Sequence, residues 1–295
     1  MPILTLADGR ELAWEEQGDP GGSPLLTLHG SPGSRMNRPP IHDRLTDAHI
    51  RQITYDRPGY GFSTPQPDRR VVDVAADVEA LLDALSIDRV AVSGGSGGGP
   101  HALALATALP DRCTVVLCNV GVAPYDRMGE AFLDGMDPKN VWRFRAAQRG
   151  REAAAEVFGP DMEEIAEQAR TDPGNVFADM DLPESDRAIL RELGSSITAG
   201  FVEAARQGPW GFVDDFIAIG SPWGFDPGEA RAPVIIEYGR TDVNVPPSHG
   251  DWLAAHVPHI EVRVHDEAGH LKGPDQVFAT ALELTRFADQ KESSS

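Results

Sequence analysis

Short apolar runs alternate along the chain with longer segments in which apolar residues recur every three or four positions. The runs predict β-strands, and the longer segments predict amphipathic helices. Because strands that alternate with helices form parallel sheets covered on both faces, the pattern predicts a doubly wound, mostly parallel α/β sheet. An Asp-Gly turn at 8–9 predicts an N-terminal hairpin. The predicted strands include PLLTLH (24–29), IRQITYD (50–56), VAVSG (90–94), TVVLCNV (114–120), PVIIEYG (233–239) and IEVRVH (260–265), and the predicted helices include 71–85, 101–109 and 274–289.

Only helical patterns, broken by Gly and Pro, occupy the stretch between Ala123 and Arg231. This stretch is too long to be a loop inside a compact domain. We therefore expect an α/β core formed by residues 1–122 and 232–295. Residues 123–231 are expected to be a helical cap inserted over one end of the sheet.

A serine lies among glycines between a predicted strand and a predicted helix, in Gly94-Gly95-Ser96-Gly97-Gly98. The pattern G-x-S-x-G is typical of a tight turn that strains the serine backbone and lifts its hydroxyl clear of the sheet. The N–H of Gly97 begins the following helix, where unpaired amides favour negative charge, so it predicts one half of an oxyanion site. A dinucleotide-binding G-x-G-x-x-G does not fit, because Pro100 occupies the last glycine position.

A serine hydroxyl becomes a nucleophile only when a base removes its proton and an acid orients that base. Asp242 follows the strand PVIIEYG at the edge where such sheets place catalytic side chains, so it is the predicted acid. The loop after TVVLCNV, the other common place for the acid, holds Asn119 instead of a nearby carboxylate. His270 closely follows the last strand, and Gly269 permits a turn that brings its imidazole inward, so His270 is the predicted base. The histidines on or near a helix that is expected to be exposed are His249, His256 and His259.

Composition narrows the possible partners of the 295-residue chain. Its net charge of −20 disfavours nucleic acid and anionic membranes as partners. It lacks a signal-peptide pattern and a membrane-length apolar stretch, which predicts a cytoplasmic protein. Cys113 and Cys118 lie five residues apart on one strand, on opposite faces, which argues against a disulfide. The residues predict no metal and no cofactor, leave the oligomeric state open, and predict a disordered tail at 291–295.

Two further motifs are typical of a known superfamily. His29-Gly30-Ser31-Pro32-Gly33 resembles the H-G-x-P-G segment of α/β-hydrolases, and YDRPGYGFS (55–63) resembles their D-x-x-G-x-G-x-S loop. With the glycine-rich serine turn and the order of the three predicted catalytic residues, the chain resembles the branch that has a serine nucleophile, H-G-x-P-G and a helical cap. The resemblance implies that the N–H of Ser31 partners that of Gly97 in an oxyanion hole.

The resemblance also implies a reaction class. We expect a serine hydrolase that cleaves a carboxylic ester or related acyl bond of a small molecule through an acyl-enzyme, with no cofactor. Esterases, lactonases, carbon–carbon bond hydrolases and cofactor-free peroxidases share the fold and stay open. Ser96 argues against the aspartate chemistry of epoxide hydrolases and haloalkane dehalogenases. Proline iminopeptidases usually have H-G-G-P-G and a tryptophan after the nucleophile, where this chain has Ser31 and Gly97, so this activity is the alternative. A third possibility is a non-catalytic homologue that binds a small ligand.

Aromatic side chains of the insertion are candidates for an apolar substrate pocket. Such a pocket predicts a small-molecule substrate that is partly apolar. The predicted pocket residues are His29, Trp142, Trp210, Phe216 and Trp223.

Overall fold

The computed structural model describes residues 1–177, 179–193 and 195–292, with side chains described except at 195–197 and 288–292. Within this part the chain forms one eight-stranded sheet. The last three residues of the tail that the sequence predicts to be disordered lie outside the described residues. The strands are β1 (Ile3–Thr5), β2 (Glu11–Gly18), β3 (Ser23–Leu28), β4 (Ile50–Tyr55), β5 (Val90–Gly95), β6 (Cys113–Asn119), β7 (Val234–Gly239) and β8 (Glu261–His265).

The sheet has the order β1-β2-β4-β3-β5-β6-β7-β8. β2 pairs antiparallel with β1 and β4, and every pairing from β4 to β8 is parallel. The predicted α/β class with a mostly parallel sheet is therefore confirmed. The helices are α1 (His42–Asp47), α2 (Val74–Ala84), α3 (Gly98–Ala108), α4 (Tyr125–Met128), α5 (Pro138–Ala147), α6 (Arg151–Thr171), α7 (Glu184–Leu193), α8 (Ser195–Ala204), α9 (Trp210–Ile219), α10 (Pro247–His256) and α11 (Pro274–Glu292).

Different helices cover the two faces of the sheet. On one face, Leu117 of β6 belongs to a core cluster with Leu45 of α1 and Leu284 of α11. On the other face, Val92 of β5 and Leu103 of α3 belong to a larger cluster. The central strands are buried on both sides, which explains why they appear in the sequence as continuous apolar runs.

Helix α3 begins at Gly98, three residues before the helix that the apolar pattern predicts. The pattern detects only side chains that pack, and the first turn consists of Gly98, Gly99 and Pro100. Proline is well tolerated in a first helical turn because its missing N–H has no intrahelical partner there. The helix therefore starts directly after the serine turn.

All described elements between β6 and β7 are helical. This helical insertion, residues 123–231, packs on the edge where the parallel strands end. The N–H of Asp137, just before α5, donates to the carbonyl of Val243 beyond β7 at 2.7 Å. Gly211 of α9 lies so close to Gly59, in the loop after β4, that a Cβ on Gly59 would fall 2.9 Å from its Cα. The insertion thus contacts loops that belong to two different strands.

The cysteines and the lengths of the helices bear on two further predictions from the sequence. Cys113 and Cys118 are both buried and free, as their spacing predicts. None of the described helices combines the length and apolar character that a bilayer span requires.

Candidate active site

The serine turn has the strained geometry that its glycines predict. Ser96 has a φ of +54°, in the left-handed region that non-glycine residues rarely adopt. Its N–H donates to the Asn119 carbonyl of β6 at 2.9 Å, and its carbonyl accepts the N–H of Gly99 at 2.8 Å. A Cβ on Gly94 would lie 2.3 Å from the Gly98 carbonyl oxygen, and one on Gly98 would lie 2.4 Å from that of Leu28. Glycine is required at both positions by this close backbone approach.

The loop after β3 lies directly against the serine turn. A Cβ on Gly97 would fall 2.3 Å from Ser31 Oγ and 3.2 Å from the Ser31 backbone nitrogen, and one on Gly30 would fall 3.8 Å from Ser96 Oγ. The backbone of residues 30–31 and the start of α3 therefore meet beside the Ser96 hydroxyl. Amides at the start of a helix have no intrahelical acceptor and favour negative charge.

His270 and Asp242 form a hydrogen-bonded pair. Nδ1 of His270 lies 2.7 Å from Oδ2 of Asp242, whose side chain is fully buried. The other oxygen of Asp242 accepts the N–H groups of Asn244 at 2.8 Å and Val245 at 3.0 Å. Because an ionised carboxylate only accepts, Nδ1 carries the proton, and neutral His270 has its lone pair on Nε2.

The surroundings of His270 favour its protonated form. Burial alone lowers the pKa of His270, but attraction to Asp242, the hydrogen bond between them and the charge of Asp186 raise it above its ordinary value. The imidazolium that would form when His270 takes a proton is therefore stabilised in place.

Asp186 of the insertion binds the backbone that carries His270. Its carboxylate accepts the N–H of His270 at 2.8 Å and that of Leu271 at 3.0 Å. Asp186 is completely buried. Burial raises its pKa, against the opposing effect of these two hydrogen bonds. The position of the histidine loop thus depends on a residue of α7.

Asp215 of α9 makes the corresponding contact with the loop after β3. Its carboxylate is fully buried, and its two oxygens lie 2.5 Å from Nη2 of Arg57 and of Arg69. The carboxylate also accepts hydrogen bonds from the Tyr60 hydroxyl, at 3.0 Å, and from the Ser31 hydroxyl. The Arg57 guanidinium also donates to the carbonyls of His29 and, at 3.0 Å, of Gly30. The backbone that leads into Ser31 is therefore held by a buried charged cluster.

His29 is part of this support. The Arg57 N–H donates to its Nε2 at 3.1 Å, and its Nδ1 lies 2.7 Å from the Gly30 carbonyl. Burial and the charge of Arg57 hold the pKa of His29 well below its ordinary value. His29 is thus neutral and braces the loop.

A cavity of about 330 Å³ opens over the serine. Ser96, His270, Ser31 and Gly97 all line it. Its volume falls in the range of small-molecule pockets. The apolar residues of its wall include Val120, Val122, Phe144, Phe177, Met180, Leu182, Leu193, Phe201, Phe216, Ile219, Val245 and Leu271.

Only two of the five predicted pocket residues, His29 and Phe216, line this cavity. Trp142 is half exposed on the surface of α5. Trp210 lies under the Arg151 guanidinium, 4.0 Å from its carbon. Trp223 is buried, and its indole N–H donates to the Ile219 carbonyl at 3.0 Å. The structure does not bring these three tryptophans to the cavity, because each packs within or on the insertion.

Sequence reasoning also missed several buried residues in and around the site. His249 is fully buried, unlike the exposed residue that its helix predicts, and Nε2 lies 2.8 Å from the Phe132 carbonyl. Asp186 and Asp215 carry no local signal, because their partners are 84 and 184 positions away. Arg57 lies in the D-x-x-G-x-G-x-S motif. The motif identifies the loop, but it does not predict that Arg57 binds Asp215.

Comparison with known proteins supports one family. A family model of the alpha/beta hydrolase fold matches residues 23–273. A probable proline iminopeptidase of Leptolyngbya boryana is 38% identical over 99% of this chain and 94% of that protein. A proline iminopeptidase of Xylella fastidiosa is 38% identical over 38% of this chain, and the match spans only 36% of that relative. This chain belongs to the alpha/beta hydrolase fold family.

Solved structures agree on the fold. A thermophilic esterase from Thermogutta terrifontis superposes with a TM-score of 0.66 at 24% identity, over 97% of this chain and 98% of that one. A likeness at this identity concerns the fold, and the reaction has to be inferred from the site itself.

Proposed function

We propose that the protein is a serine hydrolase that cleaves a carboxylic ester or related acyl bond of a small molecule. One observation carries the proposal: a strained serine shares a cavity with a histidine whose Nδ1 is fixed by a buried carboxylate, 2.7 Å away. A histidine oriented in this way presents a basic Nε2. Acyl transfer also requires a nucleophile next to N–H groups that can stabilise an oxyanion. Ser96, strained and adjacent to the amides at the start of α3, has this position.

In the proposed acylation step, Nε2 of His270 takes the Ser96 hydroxyl proton while Oγ forms a bond to the substrate carbonyl carbon. The carbonyl oxygen becomes an oxyanion, which the N–H groups of Ser31 and Gly97 stabilise. The bond to the leaving oxygen then breaks, and His270 returns the proton to that oxygen. Asp242 stabilises the imidazolium throughout.

In the proposed deacylation step, a water molecule replaces the alcohol. His270 takes one water proton while the water oxygen bonds to the acyl carbon. The bond to Ser96 Oγ breaks, and His270 returns the proton to the serine. The products are a carboxylic acid and regenerated enzyme, so no oxidant, metal or cofactor enters the balance.

The charges of the cavity wall favour an ester over a peptide with a free amine. Its described lining holds no aspartate or glutamate, and its cations Arg38, Arg143 and Lys272 each bind a carboxylate outside the lining, on Glu15, Asp161 and Glu237. An aminopeptidase substrate carries an N-terminal amine that is largely protonated near neutral pH. Without a carboxylate in the described wall, such an ammonium would be desolvated with only neutral oxygens, such as those of asparagine side chains, as partners, which is costly.

Proline iminopeptidase activity is the second candidate, because the 38%-identical relative of near-equal length carries that name. The departures at Ser31 and Gly97 and the lack of a carboxylate in the described cavity wall argue against it. A direct comparison of substrates separates the two activities.

The test measures kcat/KM for 4-nitrophenyl butyrate and for prolyl 4-nitroanilide. We expect turnover of the ester by the wild-type protein and a loss of about 10⁴- to 10⁶-fold in Ser96→Ala. Ser248→Ala, which removes an exposed serine of α10, is the matched control and keeps full activity. A higher kcat/KM for the prolyl amide would replace the ester proposal by the iminopeptidase, and absence of both activities would favour a binding protein.

A further inference from the structure

One glycine of the serine turn is not explained by the turn itself. Gly94, Gly97 and Gly98 each lie where an added Cβ would fall within 2.4 Å of a neighbouring atom. A Cβ on Gly95, by contrast, would have one atom within 4 Å besides its chain neighbours, the Asn119 Nδ2 at 3.9 Å, which is an ordinary contact. Gly95 is also a strand residue of β5 whose φ lies outside the left-handed region. Neither close backbone approach nor backbone strain therefore requires glycine at this position.

The space in front of Gly95 belongs to the cavity that contains Ser96. Gly95 and Ser96 both line this cavity, and so does Ser93. Because alternate residues of a strand share a face, Ser93 and Gly95 point to the same side of β5 as Ala91. Ala91 belongs to the core cluster that α1 and α11 cover. The cavity therefore continues from the serine along β5, on the side of α11.

We call the part of the cavity between the sheet and the start of α11 the lower chamber. Thr27 and Ser93 pair in register on adjacent strands, and both keep accessible surface although their strands are central, so α11 does not pack closely against them. Ala91, the next residue on this face of β5, is completely buried and closes the far end. The residues that line the lower chamber are Leu25, Thr27, Ser93, Leu117, Val277, Thr280 and Ala281.

The lower chamber offers a neutral surface. The Thr27 hydroxyl accepts a hydrogen bond from Gln52 at 2.8 Å, and the Thr280 hydroxyl accepts one from Lys272 at 3.3 Å, so these two groups have partners within the protein. The Lys272 ammonium is also paired with Glu237, at 2.7 Å. Apart from the Ser93 hydroxyl, the other lining side chains are aliphatic. Such a compartment suits an uncharged aliphatic chain.

We propose that the lower chamber holds the end of the substrate's acyl chain, and that Gly95 is a specificity-determining residue that keeps its entrance open. The inference rests on the proposed function, and it narrows the substrate class to esters of unbranched aliphatic acids of medium length. The acyl carbon is bonded to Ser96 in the acyl-enzyme, so the chain attached to it begins beside Gly95. A compartment with a closed end suits this part of the substrate, because the alcohol has to leave after the first step.

The depth of the lower chamber sets the length of the chain. Ser93 and Gly95 are two residues apart on β5, which is about 7 Å at about 3.3 Å per strand residue. A hexanoyl chain on Ser96 spans a comparable distance and contacts the aliphatic wall, whereas an acetyl group ends at the entrance. The longer chain therefore gains apolar burial that the shorter one lacks.

The test measures kcat/KM for 4-nitrophenyl hexanoate and 4-nitrophenyl acetate in the wild-type protein, Gly95→Val and Ser93→Leu. The first variant places a side chain at the entrance of the lower chamber, and the second fills its far end. We expect the wild-type protein to prefer the hexanoate, and each variant to lower the ratio of hexanoate to acetate kcat/KM about tenfold or more. Ser93→Leu keeps the test valid if Gly95→Val fails to fold, as judged by circular dichroism.

Gly159→Ala is the matched control. Gly159 lies in α6 outside the cavity, and a Cβ there meets nothing within 4 Å beyond its own stretch of helix. This variant should keep the wild-type ratio. An unchanged ratio in folded Gly95→Val and Ser93→Leu would overturn the inference, while Ser96-dependent acetate hydrolysis would keep the proposed function. Absence of turnover of both esters, with no labelling of Ser96 by a fluorophosphonate, would overturn the proposed function and the inference together.

Discussion

Two buried carboxylates of the insertion, Asp215 and Asp186, each bind one loop of the candidate active site, but they are neutralised differently. Asp215 lies between Arg57 and Arg69 and also receives hydroxyl groups. Asp186 receives two backbone N–H groups, and the structure shows no arginine or lysine paired with it in the described part of the chain. Both side chains have no exposed surface.

The difference appears in their protonation. Burial alone would raise the pKa of Asp215, yet Arg57 and Arg69 hold it well below its ordinary value. The pKa of Asp186 is raised, because backbone N–H groups oppose burial less strongly than full charges do. The loop of Ser31 is therefore held by an ion cluster that stays charged, whereas the loop of His270 is held by the Asp186 carboxylate, which acid can protonate.

Among the changes that test this difference between the two carboxylates, breaking the Asp215 cluster has the largest expected effect. Asp215→Ala leaves two buried guanidinium groups without their shared partner, so we expect the free energy of unfolding to fall by about 3–5 kcal/mol. Urea denaturation followed by circular dichroism measures this change. Asp83→Ala removes an exposed partner of Arg112 and should cost about 0–1 kcal/mol. Equal losses in the two variants would contradict the distinction between buried and exposed pairs.

The next effect concerns Asp186 and catalysis. Asp186→Asn keeps the size of the side chain but removes its charge and one acceptor of the two backbone N–H groups. We expect kcat to fall about 10- to 100-fold with little change in KM, because a small displacement of His270 weakens proton transfer. Steady-state ester hydrolysis measures both constants. A variant that unfolds easily yet keeps the wild-type kcat would show that Asp186 only supports the fold.

The pH dependence of kcat/KM should also distinguish Asp186 from Asp215. His270 acts as a base only when it is neutral, and its pKa is raised, so kcat/KM should rise with pH through a midpoint above 6.5. Because the charge of Asp186 helps to raise that pKa, the midpoint should move to lower pH in Asp186→Asn. Asp215 stays ionised over this range, so an acid limb that moves equally in an Asp215 variant would contradict the assignment.

The smallest effect is expected at the Ser31 hydroxyl. Ser31→Ala removes one of four side-chain partners of Asp215 and leaves the Ser31 backbone N–H in place. We expect a loss of a few-fold in kcat, about 1 kcal/mol or less. Ser31→Thr retains a hydroxyl and should recover most of the rate. A loss as large as that of Ser96→Ala would mean that the hydroxyl itself takes part in the chemistry.

The sequence predicted the core of this molecule well, because its signals are local. The apolar runs of β5 and β6 are nearly continuous, since most residues of these strands are buried whichever face they point to. Gly94 and Gly98, on either side of Ser96, are required by contacts within the same turn or with the adjacent strand. Asp242 and His270 could be selected because each follows a recognisable strand, and the structure places them in hydrogen-bond contact.

The insertion was harder to predict, because its roles depend on how it docks. A helical pattern predicts α5 and α9 but does not tell which aromatic side chain faces the cavity: Phe216 lines it, and Trp142 does not. Asp186 and Asp215 look like ordinary acidic positions on helices until the fold buries them.

The proposed mechanism requires that His270 activates Ser96, and the intact mass of the protein after reaction with a fluorophosphonate tests this directly. We expect one phosphonyl adduct on the wild-type protein, none on Ser96→Ala, and strongly slowed labelling of His270→Ala, with all three proteins folded as judged by circular dichroism. An unlabelled wild-type protein, or equal labelling of wild type and Ser96→Ala, would contradict the claim.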